Sequence, residues 1–241
     1  MMDGPLLDVH DLAVGYGRGD IVKDVSLTMT ADEVVTVIGP NGAGKSTLIK
    51  AIAGVLRPRA GRVRVGGTDL TGRPASYVAR YGLAYVPQEA NVFRSLTVAE
   101  NLAMGAWLAP SVARERRERV YTLFPVLRTR AGVRAGKLSG GERQMAALGM
   151  ALMLAPRVLV LDEPSAGLAP AMVDQMLDTV STVNATGIAV LMVEQNAVRA
   201  LQLSHRGIVL AGGEKRLDAP AQELLTRRDV GDLYLGTGDA A

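Results

Sequence analysis

One stretch constrains this chain more than any other. The apolar run Val34-Val35-Thr36-Val37-Ile38 enters Gly39-Pro40-Asn41-Gly42-Ala43-Gly44-Lys45-Ser46-Thr47 and leaves through Leu48-Ile49-Lys50-Ala51-Ile52-Ala53. The first run reads as a buried strand, the last as a helix, and the pattern G-x-x-x-x-G-K-[ST] lies between them. That context separates a phosphate-binding loop from an ordinary glycine-rich turn. Glycines let successive backbone N–H groups converge on phosphate oxygens, and a helix N-terminus adds orphan donors and a favourable dipole. Gly39 to Thr47 are therefore candidates for holding a nucleotide. Lys45 would place a positive charge at its β and γ phosphates, and the Ser46 hydroxyl would ligate Mg²⁺.

A second run, Val158-Leu159-Val160-Leu161, ends in Asp162-Glu163. Ligands of α/β sheets gather at strand C-termini, so Asp162 is expected to face the Mg²⁺ shell through water and Glu163 to polarise an attacking water. The competing reading is that two acids at a strand end cap the next helix. The P-loop favours the catalytic reading.

The remaining pattern gives an α/β fold. Segments between Leu6 and Val37 have strand character, and Gly61 to Gly67 alternates with period two before a Gly-Gly hairpin turn. Thr97-x-x-Glu100 is a capping box opening a helix through Trp107, Ser111 to Leu123 carries a mixed-charge helical face, and Gly141 to Leu154 forms another helix. Ala171 to Val183 reads as a helix between the apolar runs Val158–Leu161 and Ile188–Val193, and such βαβ alternation implies a mostly parallel, helix-covered sheet. A single domain is expected: residues 1–90 and 151–235 form a core with an antiparallel N-terminal β subdomain, and residues 91–150 an inserted helical lobe. Residues 236–241 are expected to fray.

Composition removes several alternatives. Without cysteine there are no disulfides, thiolate metal sites or cysteine nucleophiles, and His10 and His205 alone cannot build a multi-histidine zinc site. The net charge is only +3, from 27 basic and 24 acidic residues, so a nucleic-acid-binding stripe is not indicated and no nucleic-acid partner is expected. The apolar run from Met145 to Pro156 is too short to span a bilayer, and the start of the chain lacks the basic region of a secretory signal. A cytoplasmic protein is expected, reaching a membrane through partners.

Leu138-Ser139-Gly140-Gly141-Glu142 precedes the last helix of the lobe. Ser139-x-x-Glu142 is a capping box, which many helices possess, but the two glycines also leave backbone N–H groups open as an anion seat. In order along the chain, the P-loop, Gln88, Leu-Ser-Gly-Gly-Glu and Leu-Asp-Glu-Pro resemble the ATP-binding cassette (ABC) proteins over nearly the whole length. The resemblance implies two ATPase subunits facing head to tail, each ATP lying between one P-loop and the other chain's Ser139-Gly140-Gly141. It places Tyr16 where an aromatic stacks on adenine, and Gln88 where a glutamine senses Mg²⁺. It also implies a second ABC ATPase subunit, identical or not, two membrane permease subunits contacted near Val92, Phe93 and Leu96, and, indirectly, an extracytoplasmic substrate-binding protein.

Two segments narrow the match. Asp162-Glu163-Pro164-Ser165-Ala166-Gly167-Leu168-Ala169-Pro170 and Val193-Glu194-Gln195-Asn196 are similar to the LivF-type ATPases of branched-chain amino acid importers, as is Leu123-Phe124-Pro125. Most ABC relatives carry aspartate at Ala169 and histidine at Gln195. A glutamine amide can donate to the γ-phosphate but cannot titrate, so the site built on Gln195 is expected to turn over more slowly than a histidine site. Rival readings are the ATPase of urea uptake or of lipopolysaccharide export, and a soluble ABC ATPase of DNA repair or translation. The last usually needs fused cassettes or insertions that have no room here.

Overall fold

Strands that are apolar at every position need cover on both faces, and the topology supplies it. In the computed structural model, which describes residues 4–89 and 91–227, two sheets form. The 236–241 tail lies outside the described residues. The chain begins with β1 (Leu7–Val14), β2 (Val22–Met29) and β3 (Val34–Ile38), followed by α1 (Lys45–Ile52), β4 (Ala60–Val65), β5 (Thr68–Asp69), α2 (Ala75–Val78) and β6 (Leu83–Val86). A helical stretch follows: α3 (Val98–Gly105), α4 (Ala113–Leu123), α5 (Pro125–Thr129) and α6 (Gly140–Leu152). Alternation then resumes with β7 (Val158–Asp162), α7 (Pro170–Asn184), β8 (Ala189–Val193), α8 (Ala197–Leu203), β9 (Arg206–Ala211), β10 (Glu214–Pro220) and α9 (Ala221–Thr226).

The smaller sheet, in the order β2-β1-β4-β5, is antiparallel throughout. Gly66 and Gly67 join β4 to β5 with φ of 56° and 81°, both left-handed, as a tight hairpin turn demands. The larger sheet runs β10-β9-β3-β8-β7-β6, parallel except for the antiparallel β9–β10 pair at its edge. This ordering gathers the C-terminal ends of β3, β6, β7 and β8 on one edge.

Residue alternation divides the core between the two faces. Val34, Leu159, Leu161, Val190 and Met192 pack towards the helical segment, where Leu102, Leu127 and Leu148 meet them. Val35, Val37, Val158, Val160, Leu191 and Val193 pack towards α1 and the small sheet, against Leu48, Ile49 and Met29. Each fully buried aliphatic side chain contributes roughly 1.5–3 kcal/mol relative to exposure. The strands therefore hold two apolar layers apart while fixing the heights of their C-terminal ends.

Both expected capping boxes form: Thr97 and Ser139 accept from the N–H groups of Glu100 and Glu142, whose carboxylates return the bond. Helix ends differ from the sequence reading by a residue or two. α3 stops at Gly105, because a poor helix former is followed by Ala106 outside helical geometry, and Trp107 is left half exposed. The first turn of the mixed-charge helix is a 3₁₀ turn, Pro110–Val112. Asp162 and Glu163 cap no helix, since α7 begins with Pro170 after Ala169.

Candidate active site

The P-loop leaves β3 at a position where no side chain fits. Gly39 has φ of 149°, and a Cβ there would lie 2.0 Å from the Leu210 carbonyl oxygen of neighbouring β9. The loop then turns into α1, whose first residue is Lys45. Lys45 is 5% exposed, and its Nζ donates to the carbonyls of Gly39 (2.8 Å) and Pro40 (3.1 Å). Burial draws its pKa below the usual lysine value, while the Glu163 and Asp162 carboxylates oppose that shift. The ammonium thus sits at the mouth of the loop, held by acceptors that phosphate oxygens can replace.

The next residue of α1, Ser46, donates through Oγ to Asp162 Oδ1 at 2.8 Å, joining the P-loop to the end of β7. Tyr85, on adjacent β6, donates its hydroxyl to Asp162 Oδ2 at 2.9 Å. Lys50, one helical turn after Ser46, stands 3.9 Å from the same oxygen. Asp162 is 2% exposed yet fully partnered, so its carboxylate is fixed in direction. Burial and the neighbouring Asp162 carboxylate push the Tyr85 hydroxyl well above the usual tyrosine range, keeping it a neutral donor.

Glu163 leaves β7 in the left-handed region, with φ of 48°, an uncommon conformation for a side chain of this size. The turn is held by its own N–H donating to the Val193 carbonyl at 2.9 Å. Oε2 of Glu163 accepts from Gln88 Nε2 at 3.1 Å and from Gln195 Nε2 at 2.7 Å. Burial raises its pKa; Lys45 counters that, Asp162 adds to it, and the Gln195 hydrogen bond opposes it. Both amides engage the same carboxylate oxygen, Oε2.

Two hydrogen-bonded sets therefore meet at the ends of β3, β6, β7 and β8: Ser46 with Asp162, and Gln88 and Gln195 with Glu163, while Lys45 is coupled to both carboxylates by charge alone. Tyr16 and the Ser139-Gly140-Gly141 segment stand outside both. Tyr16 follows β1 and is 54% exposed. Ser139, Gly140 and Gly141 open α6, and the hydrogen bonds of the Ser139 side chain and N–H go to Glu142. Sequence reasoning gave no role to Tyr85 or to Glu194, which is 1% exposed and hydrogen-bonded to Ser165. The available signal was an aromatic hydroxyl and a carboxylate at the ends of otherwise apolar strands.

Among the described residues, no group of three or more His, Cys, Asp or Glu side chains could cage a metal. The donors present nonetheless fit Mg²⁺, which prefers hard oxygens, keeps several waters and binds through few protein ligands beside phosphate. Ser46 Oγ and the Asp162 carboxylate would hold it, while Gln88 is engaged with Glu163. A bound Mg²⁺ would offset charge on the phosphates.

A model of the ABC transporter family matches residues 22–166. The chain belongs to that family. The ABC ATPase is 41% identical to the high-affinity branched-chain amino acid transport ATP-binding protein BraG of Pseudomonas aeruginosa, over 96% of this chain and 100% of BraG. It is 37% identical to the probable branched-chain amino acid transport ATP-binding protein LivF of Archaeoglobus fulgidus, over 97% of this chain and all of LivF. It is 35% identical to the lipopolysaccharide export system ATP-binding protein LptB of Acidithiobacillus ferridurans, over 96% and 97% of the two chains. The crystal structure of the ADP conformation of an ATP-binding cassette from an ABC transporter superposes with a TM-score of 0.86, at 26% identity and 98% coverage of this chain and 100% of that one.

The ABC fold expected from the four ordered motifs is therefore the fold observed, and the protein is a nucleotide-binding ATPase most similar to ATP-binding subunits of branched-chain amino acid importers. Among the described residues, no helix is long and apolar enough to cross a membrane.

Proposed function

We propose that this ABC ATPase energises uptake of branched-chain amino acids, or related amino acids and amides, through separate permease subunits, from the cytoplasmic face of a membrane. The observation that carries this reading is similarity to BraG over 96% of this chain and all of BraG, stronger than that to the lipopolysaccharide export ATPase. The Gly167-Leu168-Ala169-Pro170 and Val193-Glu194-Gln195-Asn196 segments favour the same subgroup.

In this reading the chain is one ATP-binding domain, with residues 91–150 as its helical lobe. Gly39 to Thr47 wrap the phosphates, Lys45 exchanges its two carbonyl partners for phosphate oxygens, and Ser46, Gln88 and Asp162 serve the Mg²⁺ side. Glu163 takes the proton of the attacking water, while Gln195 and Gln88 orient its carboxylate. Tyr16 stacks on adenine. Ser139, Gly140 and Gly141 complete the site of a second subunit, identical or not, because within one chain they do not join the P-loop cluster. ATP favours the closed pair and its hydrolysis releases it, the differential binding that moves the permease between states.

A groove of about 320 Å³ between β6 and the helical lobe, lined by Val86, Phe93, Met104, Trp107, Met150 and Leu154, offers an apolar seat for a permease helix. Phe93, Met104 and Trp107 remain about half exposed in the isolated chain. The test is reconstitution with the candidate permease pair, partner ATPase and binding protein in vesicles. ATP-dependent accumulation of labelled leucine, with Phe93 cross-linking to a permease, supports the reading. Intact ATPase activity without uptake of any branched-chain amino acid or amide would reject it.

A further inference from the structure

We propose that Glu194 is a positioning residue for hydrolysis, one that sets the Gln195 main chain against Glu163 by clamping both strand-end loops together. The carboxylate leaves the end of β8 and is 1% exposed. Its Oε1 accepts from the Ser165 N–H at 2.9 Å. Its Oε2 accepts from the Ser165 hydroxyl at 2.7 Å and from the Gln195 N–H at 3.2 Å. Ser165 belongs to the turn that begins at Glu163, which is closed by the Ala166 N–H donating to the Glu163 carbonyl at 3.0 Å. One buried side chain therefore ties the loop carrying Glu163 to the loop carrying Gln195.

The chemistry of the clamp requires an acceptor on both oxygens. With the Asn196 N–H also acting on the carboxylate, three of its four donors are main-chain N–H groups, which cannot rotate away or reverse. A buried carboxylate is a costly choice for a purely structural tie, and its persistence here coincides with the 2.7 Å bond between Gln195 Nε2 and Glu163 Oε2. Glutamine at position 194 keeps the shape and one acceptor, which can stay on the Ser165 N–H. Its amide nitrogen can donate to the Ser165 hydroxyl but meets the Gln195 N–H donor to donor. Glu194→Gln thus removes the support of Gln195 while leaving the rest of the clamp nearly intact.

The proposal rests on the reading of Glu163 as base and Gln195 as its orienting partner. The experiment measures steady-state ATP hydrolysis by the full chain, with its partner ATPase if that is needed, for Glu194→Gln, Gln195→Ala, their double variant and Glu163→Gln. Expected for Glu194→Gln are a loss in kcat of about tenfold, a KM for ATP within about twofold, and no further loss in the Gln195→Ala background. A wild-type kcat, or a loss that persists in full on top of Gln195→Ala, overturns it. Hydrolysis surviving Glu163→Gln instead overturns the base reading, and shows up separately. Should Glu194→Gln not fold, Ser165→Ala removes one donor to the same oxygen. A kcat loss of about threefold at constant KM then supports the proposal and an unchanged kcat rejects it.

Discussion

Gln195 Nε2 and Gln88 Nε2 donate to the same oxygen of Glu163, at 2.7 and 3.1 Å, so two neutral amides from different loops aim one buried carboxylate. Neither amide can supply or withdraw a proton, which leaves the charge of the site to Glu163, Asp162, Lys45 and Lys50. Imidazole in place of the Gln195 amide would add a group that titrates near neutrality. Gln195→His is expected to raise the turnover of the site severalfold, read as kcat in a dimer whose other site is silenced. An unchanged kcat would mean that the amide is a full replacement.

Glu163→Gln should reduce hydrolysis by about 10²–10⁴-fold while leaving ATP binding intact, because the proposed base is lost and the shape is kept. It should also stabilise the fold at neutral pH. The folded form holds the Glu163 proton more tightly than the unfolded chain does, so wild-type stability falls as pH rises from the ordinary carboxylate value through the raised one. A Tm gain of about 2–4 °C at pH 8 that narrows as pH drops towards 4 is the expected pattern in thermal scans. A gap independent of pH would dissociate the gain from the carboxylate charge.

Lys45 relies on two carbonyl oxygens of its own loop, and no other residue is placed to give the phosphates a full charge from within the loop. Lys45→Ala should weaken nucleotide binding by about 30-fold or more, from the loss of charge-assisted hydrogen bonds. Fluorescent-nucleotide titration checks this, and affinity within threefold of wild type would contradict it.

Tyr85→Phe deletes one hydroxyl and leaves Asp162 Oδ2 with Lys50, 3.9 Å away, as its remaining polar neighbour of note. A buried acceptor stripped of its donor should cost about 1–3 kcal/mol in urea unfolding. A freer Asp162 should also raise the Mg²⁺ concentration needed for half-maximal hydrolysis.

The capping box of α6 carries the opposite pH sign. The Ser139 N–H, helped by Arg130, holds the Glu142 carboxyl below the usual range. Its stabilisation is present above the ordinary carboxylate value and is lost as pH falls through the depressed one. Glu142→Gln keeps an acceptor for the Ser139 N–H but cannot titrate. The stability difference between wild type and variant, of about 1 kcal/mol at most, should vanish under acid conditions.

Much of this was legible in the residues because it is local. The strand, loop and helix around Gly39–Thr47 are contiguous, both capping boxes span four residues, and the Gly66-Gly67 turn announces itself by composition. The constellation itself was only partly legible. Asp162 and Glu163 end an apolar run, so their place at a strand terminus could be read, whereas the hydrogen bond from Tyr85 spans 77 positions and depends on β6 lying beside β7. Glu194 and Ser165 lie 29 positions apart and meet only because β7 and β8 are neighbours. Sheet order creates these pairs, and no periodicity encodes sheet order.

The division of the large sheet into two apolar layers sets where this chain tolerates changes in length. Val158 and Val160 take one face and Leu159 and Leu161 the other on the way to Asp162. Adding or deleting one residue within β7 would exchange the layers and turn both acids away from Ser46 and Gln195. The 3₁₀ stretch at Pro110–Val112, exposed and remote from the sheet, has no such parity to preserve. Insertion scanning of the gene should therefore recover active proteins with extra residues there and none with an odd number added between Val158 and Asp162.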